Sequence, residues 1–192
     1  MKQRLFLAIP LPEALKIRIS AALSEYRSSL TLEQLPSVRF IPPQNWHITI
    51  YFFGDVLNDQ VDLLRRQLTT LLRQTPPFGL APDSLVLAPP EKRGKNMIWI
   101  RYQENPILTQ LSWDIYEATR PALRFPPPRP TLVPHVTVVR FKDLRIESLS
   151  PLVQPGMTDS LTVNHCELWD SQLSGKGAVY SSLERYEFGV VQ

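Results

Sequence analysis

Two of the three histidines in this 192-residue chain begin the same four-residue phrase. His47-Ile48-Thr49-Ile50 and His135-Val136-Thr137-Val138 both read histidine, β-branched apolar residue, threonine, β-branched apolar residue. By ordinary composition a given histidine is followed by that pattern at a rate on the order of one in a thousand. A matched pair, one in each half of the chain, therefore points to a shared task. A strand sends alternate side chains to opposite faces. His47 and Thr49 share one face and Ile48 and Ile50 the other, with the same division of His135 and Thr137 from Val136 and Val138. Two such strands facing each other would bring two imidazoles and two hydroxyls into one small volume.

That set suits a phosphodiester. A neutral imidazole takes a proton from an attacking hydroxyl or water, and a protonated one gives a proton to the leaving oxygen. With an ordinary pKa near 6.5 histidine can do either at neutral pH, and each transfer typically contributes ~10²–10⁴ in rate. Threonine hydroxyls can donate to the non-bridging phosphate oxygens and hold phosphorus between the rings. The scheme requires no metal. No cofactor is expected, because the chain has neither a Gly-Lys-Ser/Thr phosphate loop nor Gly-x-Gly-x-x-Gly. His165 and Cys166 are adjacent, so on a strand they point apart, and no Cys-x-x-Cys or His-x-x-x-His partner accompanies them. They read as a partly exposed histidine and a packed cysteine rather than a zinc pair.

The elements that must position the phrases follow from periodicity. Residues 4–9 suit a strand. Leu15, Ile19, Leu23, Tyr26 and Leu30 predict a helix over 12–30, with Pro12 in its first turn. A short strand at 38–41 and the turn Pro42-Pro43-Gln44-Asn45 lead into the first histidine strand, 46–53. Asn58 or Asp59 would cap a second helix bearing Val61, Leu64, Leu68, Leu71 and Leu72 on one stripe. Strands near 84–88 and at 97–102 flank a basic turn, Glu91 to Asn96. Asn105-Pro106 starts a third helix with Leu108, Leu111, Ile115 and Leu123 on one face. The proline-rich stretch 126–134 ends it and leads into the second histidine strand, 135–141. A polar connection over 142–159 and two strands, 160–169 and 178–188, close the chain. Strand, helix and histidine strand thus occur twice, at 4–9, 12–30 and 46–53 and again at 97–102, 106–122 and 135–141. Residue identity outside the two phrases is slight. Two similar lobes side by side form a groove, where ligand sites commonly lie.

Composition sets outer bounds. A 43% apolar content supports a packed core. The 19 prolines, against 7 glycines, mark element boundaries and stiff loops. The single cysteine rules out an internal disulfide and fits a reducing compartment. The apolar stretch Leu5 to Leu11 is short, contains Pro10 and runs into a charged helical pattern without a small-residue cleavage site. It reads as the buried first strand of a cytoplasmic protein. No apolar run approaches membrane-spanning length, so no membrane association is expected. A net charge of +3 and a pI near 9.1 permit an anionic partner such as RNA without requiring one. Lys92, Arg93 and Lys95 read as a loop that guides an RNA backbone or as a solvated turn, and Arg124 and Arg129 carry the same two readings.

With these residues in view the sequence resembles the two-histidine phosphoesterase superfamily. Within it, the chain is similar to the RNA 2′,3′-cyclic phosphodiesterase branch, also called 2′-5′ RNA ligases. The resemblance is carried by Arg4-Leu5-Phe6-Leu7-Ala8-Ile9, by Phe40 to His47, by Tyr51-Phe52-Phe53-Gly54-Asp55-Val56 and by Pro134 to Arg140. Leu168-Trp169-Asp170-Ser171, Gly177 and Tyr180 add to it. It implies an α+β fold, bilobal and duplicated, with two antiparallel sheets, helices on their outer faces and a central cleft. Residues 1–192 would be one such domain, a monomer, with strands exchanged between its lobes.

The implied activity is metal-independent hydrolysis of an RNA terminal 2′,3′-cyclic phosphate to a 2′-phosphate. The resemblance makes His47 the acid that protonates O3′ and His135 the base that activates water. Thr49 and Thr137 would hold phosphate oxygens, Arg140 would contact the phosphate and Phe52 would lie against the terminal nucleotide. Phe52 and Arg140 are each five residues past their histidine, so strict alternation sends them to the wrong face. They reach the cleft only if each strand bulges; otherwise Phe52 is core and Arg140 a surface or ion-pair residue. Ile50 and Val138 stand where the family often has Leu, and the stretch 125–133 is longer and richer in proline than is usual there. The alternatives are 2′-5′ ligation by the reverse reaction, hydrolysis of a small cyclic nucleotide, and a non-catalytic RNA-end binding module. Binding alone does not need two proton-transfer groups.

Overall fold

The computed structural model describes residues 1–89, 96–142, 159–175 and 177–189. Among them run β1 (Lys2–Pro10), α1 (Glu13–Ser29), β2 (Val38–Phe40), β3 (His47–Leu57), α2 (Asn58–Leu72), β4 (Phe78–Leu80), β5 (Pro82–Ala88) and β6 (Met97–Tyr102). After these come α3 (Pro106–Thr119), β7 (His135–Phe141), β8 (Leu161–Val163), β9 (His165–Ser174) and β10 (Gly177–Glu187). The fold is α+β. One four-stranded sheet has the order β10-β9-β1-β3, a second β2-β7-β6-β5, and β4 pairs with β8. The pairings are antiparallel.

The apolar run of β1 has a simple cause. Its Leu5, Leu7 and Ile9 enter the main core, while Phe6 and Ala8 join Trp169 and Tyr180 in a small cluster on the opposite face. A strand covered on both faces loses the apolar–polar alternation of a half-exposed one.

The helices bury the stripes their spacing predicts. Leu15, Ile19, Leu23 and Tyr26 of α1 are buried, as are Val61, Leu64, Leu68 and Leu72 of α2 and Leu108, Leu111 and Ile115 of α3. Tyr26 packs its ring against Phe40 of β2, with centroids 6.3 Å apart. The Ser112 hydroxyl of α3 donates to the Ile50 carbonyl at 3.0 Å, which pins α3 behind β3. Helices and the Ile48, Ile50, Val136 and Val138 faces of the histidine strands share one continuous core.

Some boundaries differ from expectation. Neither Asn58 nor Asp59 caps α2. The chain stays extended through Leu57, whose N–H donates to Gln60 Oε1 at 3.4 Å, and Asn58 is already helical. The Asn58 side chain instead accepts from Gln3 on β1. Pro12 is the N-cap of α1 rather than part of its first turn. At α3 the expected signal holds: Asn105 Oδ1 accepts the Leu108 N–H at 3.0 Å, though the helix stops at Thr119. The stretch expected as one strand over 160–169 is two, interrupted at Asn164, and β8 pairs with the unforeseen β4.

Candidate active site

His47 opens β3 and His135 opens β7, and both line one cleft of about 490 Å³. Its walls come from both four-stranded sheets. Thr49, Thr137, Phe52 and Arg140 line the same cleft, so all six residues singled out in the sequence meet there.

The parity problem is solved by a bulge at the same place in each phrase. Along β3, Ala8 pairs with Thr49 and Leu7 with Tyr51, which leaves Ile50 as the extra residue. Along β7, Trp99 pairs with Thr137 and Ile98 with Val139, which leaves Val138. Each bulge shifts the alternation by one. Tyr51 and Val139 turn to the core, and Phe52 and Arg140 return to the histidine side. Phe52 is 43% exposed and is therefore not core. A second irregularity follows at Phe53, and Gly54 beside it takes φ of 75°, a conformation glycine adopts without a Cβ clash.

The two rings are held alike. His47 Nδ1 lies 2.7 Å from the Asn45 carbonyl, and His135 Nδ1 lies 2.8 Å from the Val133 carbonyl, two residues upstream in both cases. A carbonyl only accepts, so Nδ1 carries the proton in each ring and Nε2 of the neutral form is left as the basic atom. Asn45 reaches further. Its Nδ2 donates to the Ala178 carbonyl of β10 at 3.0 Å, tying the approach to His47 to the cleft wall.

Their surroundings differ. His47 is ringed by Phe6, Trp169 and Tyr180, with centroids 5.0, 5.0 and 5.3 Å away. Burial pushes its pKa down to about 4; the Asn45 hydrogen bond opposes that shift and the charge of His135 adds to it. The pKa of His135 is also lowered, first by burial, with the Val133 hydrogen bond opposing and Arg129 and Arg140 adding. Both shifts favour the neutral imidazole at neutral pH. An anion between them would raise both values, because an opposite charge favours the protonated form.

Several cleft residues were not singled out from the sequence. Arg4 lines it, with its guanidinium 5.1 Å from the centre of the Phe52 ring. Phe6, Arg39, Ile41 and Asn45 line it too, as do Ser171 and Tyr180, which the resemblance had only touched. Arg4, Phe6 and Ala8 alternate on one face of β1, a pattern visible in the sequence once β1 is known to lie beside β3. The proline-rich stretch is anchored by the Tyr51 hydroxyl, which donates to the Pro126 carbonyl. Arg129, in that stretch, acts on His135 through its charge. The basic loop Lys92, Arg93 and Lys95 lies outside the described residues. Cys166 is buried and His165 half-buried, its Nδ1 2.8 Å from Asn164 Oδ1.

A family model of LigT-like phosphoesterases matches residues 9–99. The RNA 2′,3′-cyclic phosphodiesterase of Methanothermobacter thermautotrophicus is 28% identical over 189 residues, which is 96% of this chain and 98% of that protein. The chain is thus similar to the LigT-like phosphoesterases over residues 9–99 and to this relative over nearly its whole length. In fold, the protein is similar to the crystal structure of TT0787 of Thermus thermophilus, with a TM-score of 0.79 at 21% identity, over 98% of this chain and 100% of that one. It is also similar to the crystal structure of E. coli LigT in apo form, with a TM-score of 0.71 at 23% identity, over 98% of each chain. Among its described residues, no helix is long and apolar enough to cross a membrane.

Proposed function

We propose that this protein is a LigT-like phosphoesterase that opens the 2′,3′-cyclic phosphate at an RNA end and leaves a 2′-phosphate and a free 3′-hydroxyl. The observation that carries this reading is the matched pair of rings. Each has Nδ1 committed to a main-chain carbonyl, and both line one cleft beside a threonine. Water attacks phosphorus as His135 Nε2 takes its proton. The P–O3′ bond breaks as His47 gives a proton to O3′. Thr49, Thr137 and Arg140 stabilise the charge that builds on the non-bridging oxygens, and Phe52 carries the terminal nucleobase. No step in this scheme calls on a metal or cofactor. RNA as the substrate is supported by the name of the Methanothermobacter relative and by the arginines of the cleft.

A second reading exchanges the two rings, and one observation favours it. His47 is held furthest towards the neutral, proton-accepting form, while His135 lies flat on the π-face of Trp99, a position that favours a cation.

The test uses an RNA ending in a 2′,3′-cyclic phosphate, incubated in EDTA with the wild type, His47→Ala and His135→Ala. Turnover to the 2′-phosphate in the wild type and its loss in both variants supports the activity. Tight binding without turnover by the wild type points to an RNA-end binding module and sinks it. A substrate with sulfur in place of bridging O3′ separates the roles, since a thiolate leaves without general acid. It restores turnover to the variant lacking the acid and not to the one lacking the base.

A further inference from the structure

Arg39 belongs to no part of the scheme above, yet it is built into the cleft. It sits on β2, in register with Arg140 on β7. Like charges directly opposite on neighbouring strands oppose sheet formation. Among the described residues neither guanidinium has a carboxylate partner to offset this.

The position of Arg39 is also prepared on the other sheet. Its guanidinium lies against Gly177, the first residue of β10, where a Cβ would fall 1.4 Å from Nη2. Gly177 has φ of 120°, which side-chain-bearing residues rarely adopt. The next residue, Ala178, accepts the Asn45 hydrogen bond. A glycine thus makes room for an arginine that reaches from one cleft wall to the other, one strand further out than Arg140. An unneutralised, seated guanidinium beside a phosphate-binding one is a fork for a second phosphate.

We infer that Arg39 binds the phosphate on O5′ of the terminal nucleoside. This rests on the activity proposed above and names what the site reads beyond the cyclic end. Neighbouring strands lie about 4.8 Å apart. Arg39 and Arg140, one strand apart and both with long side chains, can therefore hold two phosphates separated by a single ribose. That O5′ phosphate is present in an RNA chain and in a 5′-phosphorylated mononucleotide, and it is absent from a simple nucleoside cyclic phosphate.

Three substrates test the inference: adenosine 2′,3′-cyclic phosphate, the same compound with a 5′-phosphate, and the dinucleotide ApA ending in a 2′,3′-cyclic phosphate. In the wild type kcat/KM for the two O5′-phosphorylated substrates should exceed that for the first by roughly tenfold or more, the worth of a charge-assisted contact. Arg39→Gln should shrink both ratios to near one, and Arg39→Lys should retain part of them. Unchanged melting shows that the variants fold. Ratios in Arg39→Gln equal to those of the wild type overturn the inference. So does a gain confined to the dinucleotide, which would mean that the extra nucleoside is read and the phosphate is not. Turnover of none of the three by the wild type fails the proposed activity itself, a result distinct from flat ratios among active substrates.

Discussion

The indole of Trp99 lies flat against the imidazole of His135, with ring centroids 3.7 Å apart and planes inclined by 21°. Trp99 is also the cross-strand partner of Thr137. One β6 side chain therefore supports both members of the second phrase. His47 has no such platform; the aromatic rings around it are tilted or edge-on.

Trp99→Ala should free the His135 ring to rotate and admit water to it. Burial is the largest cause of its lowered pKa, so the value should climb back towards 6.5. Turnover of a cyclic-phosphate RNA end should fall about tenfold or more through loss of ring orientation. Proton NMR titration of the ring and kcat measured on one sample check both. An unmoved His135 titration would show that the indole does not shield the ring.

His47→Ala and His135→Ala should each lower kcat by at least ~10². Thr49→Val and Thr137→Val keep shape and remove one hydroxyl, and should lower it by ten- to a hundredfold, the range of a single stabilising donor. Measurements in EDTA and in Mg²⁺ should agree. Equal kcat in wild type and either histidine variant would remove that ring from the chemistry.

The low pKa of His47 makes stability depend on pH with a definite sign. The unfolded ring titrates near 6.5 and the folded one at about 4. Above pH 6.5 both states hold the ring neutral, and its full contribution is present. As pH falls from 6.5 towards 4 the unfolded chain binds a proton that the folded one refuses. Stability then drops, by as much as about 3 kcal/mol from this group. Urea midpoints at pH 7.5 and 4.5 should differ more for wild type than for His47→Gln. Added inorganic phosphate should lessen the drop by raising the folded pKa. Identical pH dependence in the two proteins would contradict the assignment.

Arg140→Gln and Phe52→Ala should separate in kinetics. On the proposed scheme Arg140 would stabilise charge on the non-bridging oxygens, so its loss should lower kcat/KM by ten- to a hundredfold, largely through kcat. Phe52, as proposed, would hold the base in both ground and transition state, so its loss should act mostly on KM. Initial rates over a range of RNA concentrations distinguish the two. Both effects falling on KM alone would make Arg140 a simple tether.

Asn45→Ala removes the side-chain bond to the Ala178 carbonyl and should lower stability by about 1 kcal/mol, more if that carbonyl is left unpaired. The Asn45 main-chain carbonyl that orients His47 survives the change. Partial activity with a lowered urea midpoint is the expected outcome, and a midpoint equal to that of wild type would show that this tie does not hold the wall.

What the sequence made legible follows from range. β6 at 97–102 and β7 at 135–141 stand where periodicity put them, because each is an apolar run bounded by loop residues. His47, Thr49, His135 and Thr137 were visible because the phrases repeat, and Phe52 and Arg140 only through the family resemblance. The bulges at Ile50 and Val138 left only an indirect trace, the functional residue types at the fifth position after each histidine. Arg39 was invisible, since its meaning lies in β2 pairing with β7 about a hundred residues later, and no local pattern encodes that pairing. The same holds for β4 and β8, two three-residue strands too short to show a period. The α2 cap was misread because Asn58 bonds to a distant strand instead of to its own helix.

Each large sheet joins strands far apart in the chain: β2 is lent forward to β7, and β9 and β10 come back to β1. The two walls are therefore laced together like the fingers of clasped hands. A nick midway along the polypeptide would not yield two self-sufficient pieces, since each fragment would lack strands held by the other. Protease-cut halves should regain activity only when mixed, and the gap that grips the substrate is set once, when the whole chain folds.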